Sequence, residues 1–87
     1  MYYVYVLLNE IGRSYIGYSA DVKKRLAAHN EGEVTSTRGH KWALIYYEAY
    51  RAEEDARARE KQLKNSGQGR RWLKERIANS IALSRES

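Results

Sequence analysis

Tyr2-Tyr3-Val4-Tyr5-Val6-Leu7-Leu8, followed across the turn Asn9-Glu10-Ile11-Gly12-Arg13 by Ser14-Tyr15-Ile16-Gly17, decides how this chain folds. The first run is apolar and aromatic throughout, rich in strand-favouring residues and too short for a helix. Strand alternation puts Tyr3, Tyr5 and Leu7 on one face and Val4, Val6 and Leu8 on the other. Gly12 is free to take positive φ in the turn. Two strands joined by so short a loop make an antiparallel hairpin.

Working outward, Ser19 or Asp21 can cap a helix that runs through Val22 and Leu26 toward Asn30, with Gly32 as its stop. Glu33 to Lys41 reads as a polar loop, and Trp42 to Tyr50 as a third strand. Strict alternation there groups Trp42, Leu44, Tyr46 and Glu48 against Ala43, Ile45 and Tyr47. Strong helix formers fill Arg51 to Lys64, and Asn65-Ser66-Gly67-Gln68-Gly69 interrupts them. Arg70 to Leu83 forms a further helix whose Leu73, Ile77 and Ile81 make an apolar stripe. The pattern predicts an α+β fold of order β-β-α-β-α-α, a three-stranded, mainly antiparallel sheet flanked by helices. One domain spans 1–83, and the tail 84–87 is expected to fray.

Composition narrows the function classes. The 87 residues leave room for one domain. Without cysteine there is neither a disulfide nor a thiolate metal site. No apolar run approaches the ~20 residues of a membrane span, and the start lacks a basic signal-peptide region, so a cytoplasmic location is expected. Net charge is +5, and from Arg51 onward ten Lys/Arg face six Asp/Glu. Such an excess suits a polyanionic partner, or simply solvated helix faces. Phe and Pro are absent, and five of the eight tyrosines fall in the first eighteen residues. Their hydroxyls hint at a polar pocket.

Several polar residues stand where a helix wants its core. Glu60 shares a face with Ala56 and Leu63, so it either pairs with Lys64 toward water or enters a polar site. Arg25 and His29 share a flank of the first helix. A guanidinium suits phosphate; His29 could contact phosphate, ligate metal or cap the helix end. The two histidines lie on different elements, and no HExxH, CxxC, nucleophile elbow or P-loop is present.

The order of these residues resembles the GIY-YIG nuclease superfamily, in particular its small single-domain bacterial members, related to the N-terminal nuclease domain of excision-repair endonucleases. Tyr3-Val4-Tyr5 stands for the first motif, and Tyr15-Ile16-Gly17 matches the second letter for letter. Arg25 follows Tyr15 by ten residues, as Tyr15 follows Tyr5. Glu60, in Arg59-Glu60-Lys61-Gln62-Leu63-Lys64, matches the family's helical metal-binding glutamate. His29 and the segment Thr35-Ser36-Thr37-Arg38-Gly39 resemble the small stand-alone branch. The likeness covers about residues 2 to 78. Three features depart from it: Tyr3 replaces the first glycine, Tyr18 stands where the repair nucleases carry lysine, and their final asparagine has no counterpart.

The resemblance implies an endonuclease-like domain that hydrolyses phosphodiesters in nucleic acid, with DNA as the expected substrate. Its cofactor would be a divalent metal, Mg²⁺ or alternatively Mn²⁺, with Glu60 as sole protein ligand. Tyr5, Tyr15, Arg25 and Glu60 would converge, with His29 in support. Arg25 would stabilise the transition state, and the tyrosines would position and deprotonate water. A free tyrosine has a pKa of about 10, so Arg25 and the metal would have to favour the phenolate. The alternative is a binding module of the same fold that has lost useful catalysis, with Arg38, Lys41, Lys64, Arg70, Arg71 and Lys74 as its footprint. In either case a protein partner could supply specificity.

Overall fold

The computed structural model describes residues 1–65 and 67–86. Strand β1 (Tyr2–Asn9) is central, flanked by β2 (Ser14–Ser19) and β3 (Trp42–Tyr50), and both pairings are antiparallel. The hairpin turn is closed by Asn9. Its side-chain oxygen accepts from the amides of Ile11 at 3.1 Å and Arg13 at 2.8 Å, while Gly12 takes φ 83°.

Helix α1 (Val22–Asn30) lies on one face of the sheet. Asp21 caps it by accepting from the Lys24 amide at 3.0 Å, which decides between the two expected caps. A 3-10 turn at Thr35–Thr37 then leads to β3, and helices α2 (Glu53–Asn65), α3 (Gly67–Arg76) and α4 (Ala78–Glu86) follow.

Alternation on β1 divides the interior as expected. Val4 and Val6 pack with Ile16 against Ala56, Leu63, Leu73 and Ile77, while Tyr5, Leu7 and Trp42 pack beneath Val22 and Leu26. Strict alternation fails on β3. The register with β1 shifts between Val6, opposite Tyr46, and Leu7, opposite Leu44, leaving Ile45 as a bulge. Trp42 therefore belongs to the α1 side, and Tyr46 to the side of α2 and α3. The extra residue lets both ends of the strand bury their aromatic rings, which an unbroken alternation would not.

The expected last helix is longer and divided. It starts at Gly67, and a turn at Ile77 separates α3 from α4. The amides of Ile77 and Ile81 still bond the carbonyls of Leu73 and Ile77, both at 3.0 Å, so the apolar stripe continues across the junction. Of the interruption expected at 65–69, Ser66 lies outside the described residues; of the tail expected to fray, α4 runs through Glu86 and Ser87 lies outside.

Two polar clusters fasten α2. Glu48 on β3 accepts from the hydroxyls of Tyr46 and Tyr50 and twice from the Arg59 guanidinium, at 2.8 and 3.2 Å. Burial raises the Glu48 pKa, but these hydrogen bonds outweigh it and hold the carboxyl below its usual 4.5. Tyr18 donates to Glu53 at 2.8 Å and lies under the Arg57 guanidinium. Tyr18 therefore docks the first turn of α2 instead of presenting a cation. Among the described residues, no helix is long and apolar enough to cross a membrane.

Gly17 sits opposite Tyr5, and a β-carbon there would lie 2.4 Å from the phenol carbon and oxygen of Tyr5. Gly17→Ala is expected to destabilise the fold by about 1–3 kcal/mol through overpacking. The urea midpoint measures this, and an unchanged midpoint would show that Tyr5 can move aside freely.

Candidate active site

Glycine at position 17 lets the Tyr5 ring cross the neighbouring strand and deliver its hydroxyl beneath α1. There the oxygen lies 2.9 Å from His29 Nε2, and His29 Nδ1 lies 2.8 Å from Thr37 Oγ1. The Thr37 hydroxyl donates to the Val34 carbonyl at 3.3 Å. Its single proton is thereby used, so its lone pair accepts from His29 Nδ1–H, and the Nε2 lone pair accepts from Tyr5. This assignment follows from the hydrogen-bond network. The result is a directed chain: Tyr5 to His29 to Thr37 to Val34.

His29 is 0% exposed and Thr37 1%. With both ring nitrogens engaged by Tyr5 and Thr37, His29 has none left for a metal, a phosphate or the carbonyls at the helix end, so none of its three expected roles matches the structure. Burial, and then the nearby Arg25 charge, push its pKa below the ordinary 6.5. The neutral imidazole that the chain requires is thus favoured.

The other expected residues converge here. The Tyr15 ring lies 4.8 Å from the His29 ring and 6.4 Å from the Tyr5 ring. Arg25, exposed on α1, and Glu60 both act electrostatically on Tyr5. Burial dominates at Tyr5 and pushes its pKa up to about 12. Arg25 acts in the expected direction, toward the phenolate, but burial outweighs it. Glu60 pairs with Lys64 at 3.4 Å, and the Lys64 ammonium lies 5.4 Å above the Tyr15 ring. Glu60 thus pairs along its helix, as the first of its two readings expects, and its charge also acts on Tyr5.

The donor set suits a hard cation. The single quarter-exposed Glu60 carboxylate could hold Mg²⁺ that keeps most of its waters. Among the described residues no cluster of three His, Cys, Asp or Glu could make a protein cage for a metal.

The expected basic footprint divides. Lys64, Arg70 and Lys74 line one cleft, together with Arg13, which sequence reasoning missed because a turn arginine carries no periodic signal. Arg71 is exposed on α3 and does not line that cleft. Arg38 donates to the Gly32 carbonyl at 2.9 Å, and the Lys41 amide bonds Glu10 at 2.7 Å, so both belong to the connection before β3. Thr37 was also missed as a site residue. Its only signal was its place in the segment that resembles the small branch.

Central strand β1 carries Tyr5, edge strand β2 carries Tyr15-Ile16-Gly17, and α1 and α2 carry Arg25 and Glu60. The chain matches the GIY-YIG catalytic domain family over residues 1–75 and belongs to it. It is 38% identical over 69 residues to a UPF0213 protein of Streptococcus pneumoniae, covering 71% of this chain and 65% of the relative. The chain thus spans just under two thirds of that relative's length. It is 35% identical to a UPF0213 protein of Lacticaseibacillus paracasei, covering 80% of this chain and 81% of the relative. The solution NMR structure of a UPF0213 protein from Bacillus halodurans superposes with TM-score 0.53 at 32% identity, covering 84% of this chain and 82% of that one.

His29 predicts an acid limb in stability. Its folded pKa is depressed, so the unfolded chain binds a proton first as pH falls. Its contribution is complete above the ordinary 6.5 and is lost as pH drops through the lower folded value. Urea midpoints between pH 7.5 and 5 should fall from about pH 6.5 downward. His29→Gln should flatten that limb; a limb of equal slope in the variant would assign it elsewhere.

Proposed function

We propose that the protein is a metal-dependent endonuclease that hydrolyses phosphodiester bonds in nucleic acid, with DNA as the expected substrate. The observation carrying this reading is the Tyr5–His29–Thr37 chain beside Arg25 and Glu60. A phenol held near pKa 12 is a poor base by itself. Hydrogen-bonded to a neutral imidazole, it can pass its proton to His29 Nε2 while taking one from water. The water oxygen then bonds phosphorus as the bond to the leaving oxygen breaks. The leaving oxygen keeps the electron pair and takes a proton from solvent. The proton on His29 returns to Tyr5, which gives its own up to solvent.

Tyr5 is only 1% exposed, so the attacking water must be admitted when substrate binds. Half-buried Tyr15 borders the open cleft and would hold that water or the substrate. Arg25 would donate to the non-bridging oxygens, where negative charge grows in the transition state. Glu60 would hold the divalent metal, which when bound neutralises phosphate charge. Lys64 would have to release Glu60 for this.

A second reading, binding without turnover, draws support from the same Lys64–Glu60 pair and from Tyr18, which is engaged with Glu53. One experiment separates the two. Labelled single-stranded, duplex and branched DNA, and RNA, are incubated with Mg²⁺ or Mn²⁺ against EDTA. Metal-dependent cleavage should fall at least about 100-fold in Glu60→Gln, and by about 10²–10⁴ in Tyr5→Phe. No cleavage by folded wild-type protein, with salt-sensitive binding in the same tubes, would establish the binding module instead.

A further inference from the structure

Between the hairpin end of the sheet and the last three helices lies a cleft of about 910 Å³. That is the size of a small-molecule site. Its floor is apolar, built from Leu8, Ile16, Ile45, Leu73, Ile77 and Ile81. Its rim carries four cations, Arg13, Lys64, Arg70 and Lys74, and none of its lining residues is acidic. The side chains come from the hairpin, β3, α2, α3 and α4, so tertiary packing alone assembles them. Tyr15 and Lys64 belong both to this cleft and to the candidate active site, which makes the two continuous.

An apolar floor under a cationic rim suits a molecule that is flat and apolar on one side and anionic on the other. A duplex offers its phosphates to such a rim but keeps its bases stacked away from the floor. An unpaired nucleotide offers both. We propose that this cleft receives one unpaired nucleotide adjoining the phosphate at the Tyr15–Arg25–Glu60 site. Its base rests against half-buried Ile45 and Ile81, with buried Leu73 and Ile77 behind them, and its phosphates meet Arg70, Lys74 and Arg13. The inference rests on the nuclease reading only for where the cut falls. It makes the substrate a single strand, or a duplex with a flipped, bulged or frayed base.

The domain is small enough for methyl NMR, and binding is followed in EDTA so that no cleavage intervenes. The probes are a thymidine tetranucleotide, a uridine tetranucleotide, an abasic oligomer of equal length, a short blunt duplex and anionic phosphatidylglycerol vesicles. The tetranucleotides should shift the methyls of Ile45, Leu73, Ile77 and Ile81 saturably, and the stronger of the two names the preferred sugar. Arg70→Glu with Lys74→Glu, both at exposed positions, should weaken that binding at least tenfold without moving the urea midpoint. Equal methyl shifts with the abasic oligomer or the duplex would overturn the proposal, as would shifts with vesicles alone or unchanged affinity in the double variant. Cleavage with silent floor methyls would refute the subsite and spare the nuclease reading. Saturable shifts without cleavage on any nucleic acid would support the cleft and count against the nuclease reading alone.

Discussion

Tyr5 crosses over Gly17 to meet His29, and the rest of the site is arranged around that contact. It needs a glycine on the edge strand, because any β-carbon at position 17 would occupy the space of the phenol. It needs α1 laid across the same face of the sheet, so that a residue one turn beyond Arg25 points inward. It also needs the 3-10 turn, whose Thr37 fixes the imidazole tautomer from behind and whose carbonyl accepts from the Trp42 indole at 2.9 Å. Strand, helix, turn and the next strand are thus joined through one chain of polar groups inside an otherwise apolar layer. Buried polar atoms are costly when unpaired, and among the described residues no buried side-chain polar atom lacks a partner.

The two faces of the sheet divide the work. On one, Val4, Val6 and the apolar residues of the later helices make an ordinary core, with Ala56 and Leu63 fully buried. On the other, tyrosine, histidine and threonine stand among the apolar side chains and form the hydrogen-bonded chain. Glu60 bridges the two. It sits on the helix whose Ala56 and Leu63 fill the first core, yet its charge is felt at Tyr5 on the opposite side. The helix is held for this by Glu48 and Tyr18, so residues outside the site set where Glu60 stands. Tyr18 is engaged in docking α2 through Glu53, while Lys64 brings an ammonium within 5.4 Å of the Tyr15 ring from another element.

Tyr5, Tyr15, Arg25 and Glu60 were singled out by the order of motifs that resembles the family, not by periodicity. Spacing alone placed Glu60 beside an apolar stripe and Arg25 on a flank with His29. The hairpin and the helix cap were legible too, since Gly12 and Asp21 act within a few residues of themselves. The pull of Arg25 on Tyr5 can be read from the sequence, whereas the burial that outweighs it cannot. The bulge at Ile45 was hidden because alternation is counted within one strand, while register is a relation between two.

By itself the sequence determined the hairpin, the helical segments, the family and the residue types available for chemistry. The elements depend on propensities and spacings within each segment, and the family on the order of motifs along the chain. The tertiary structure alone decided that His29 is buried with both nitrogens engaged, and that Thr37 stands behind it. It alone gathered Arg13, Lys64, Arg70 and Lys74 at one cleft while leaving Arg38, Lys41 and Arg71 elsewhere. The physical reason is that burial and electrostatic neighbourhood are properties of segments brought together across the fold, and no single segment carries them.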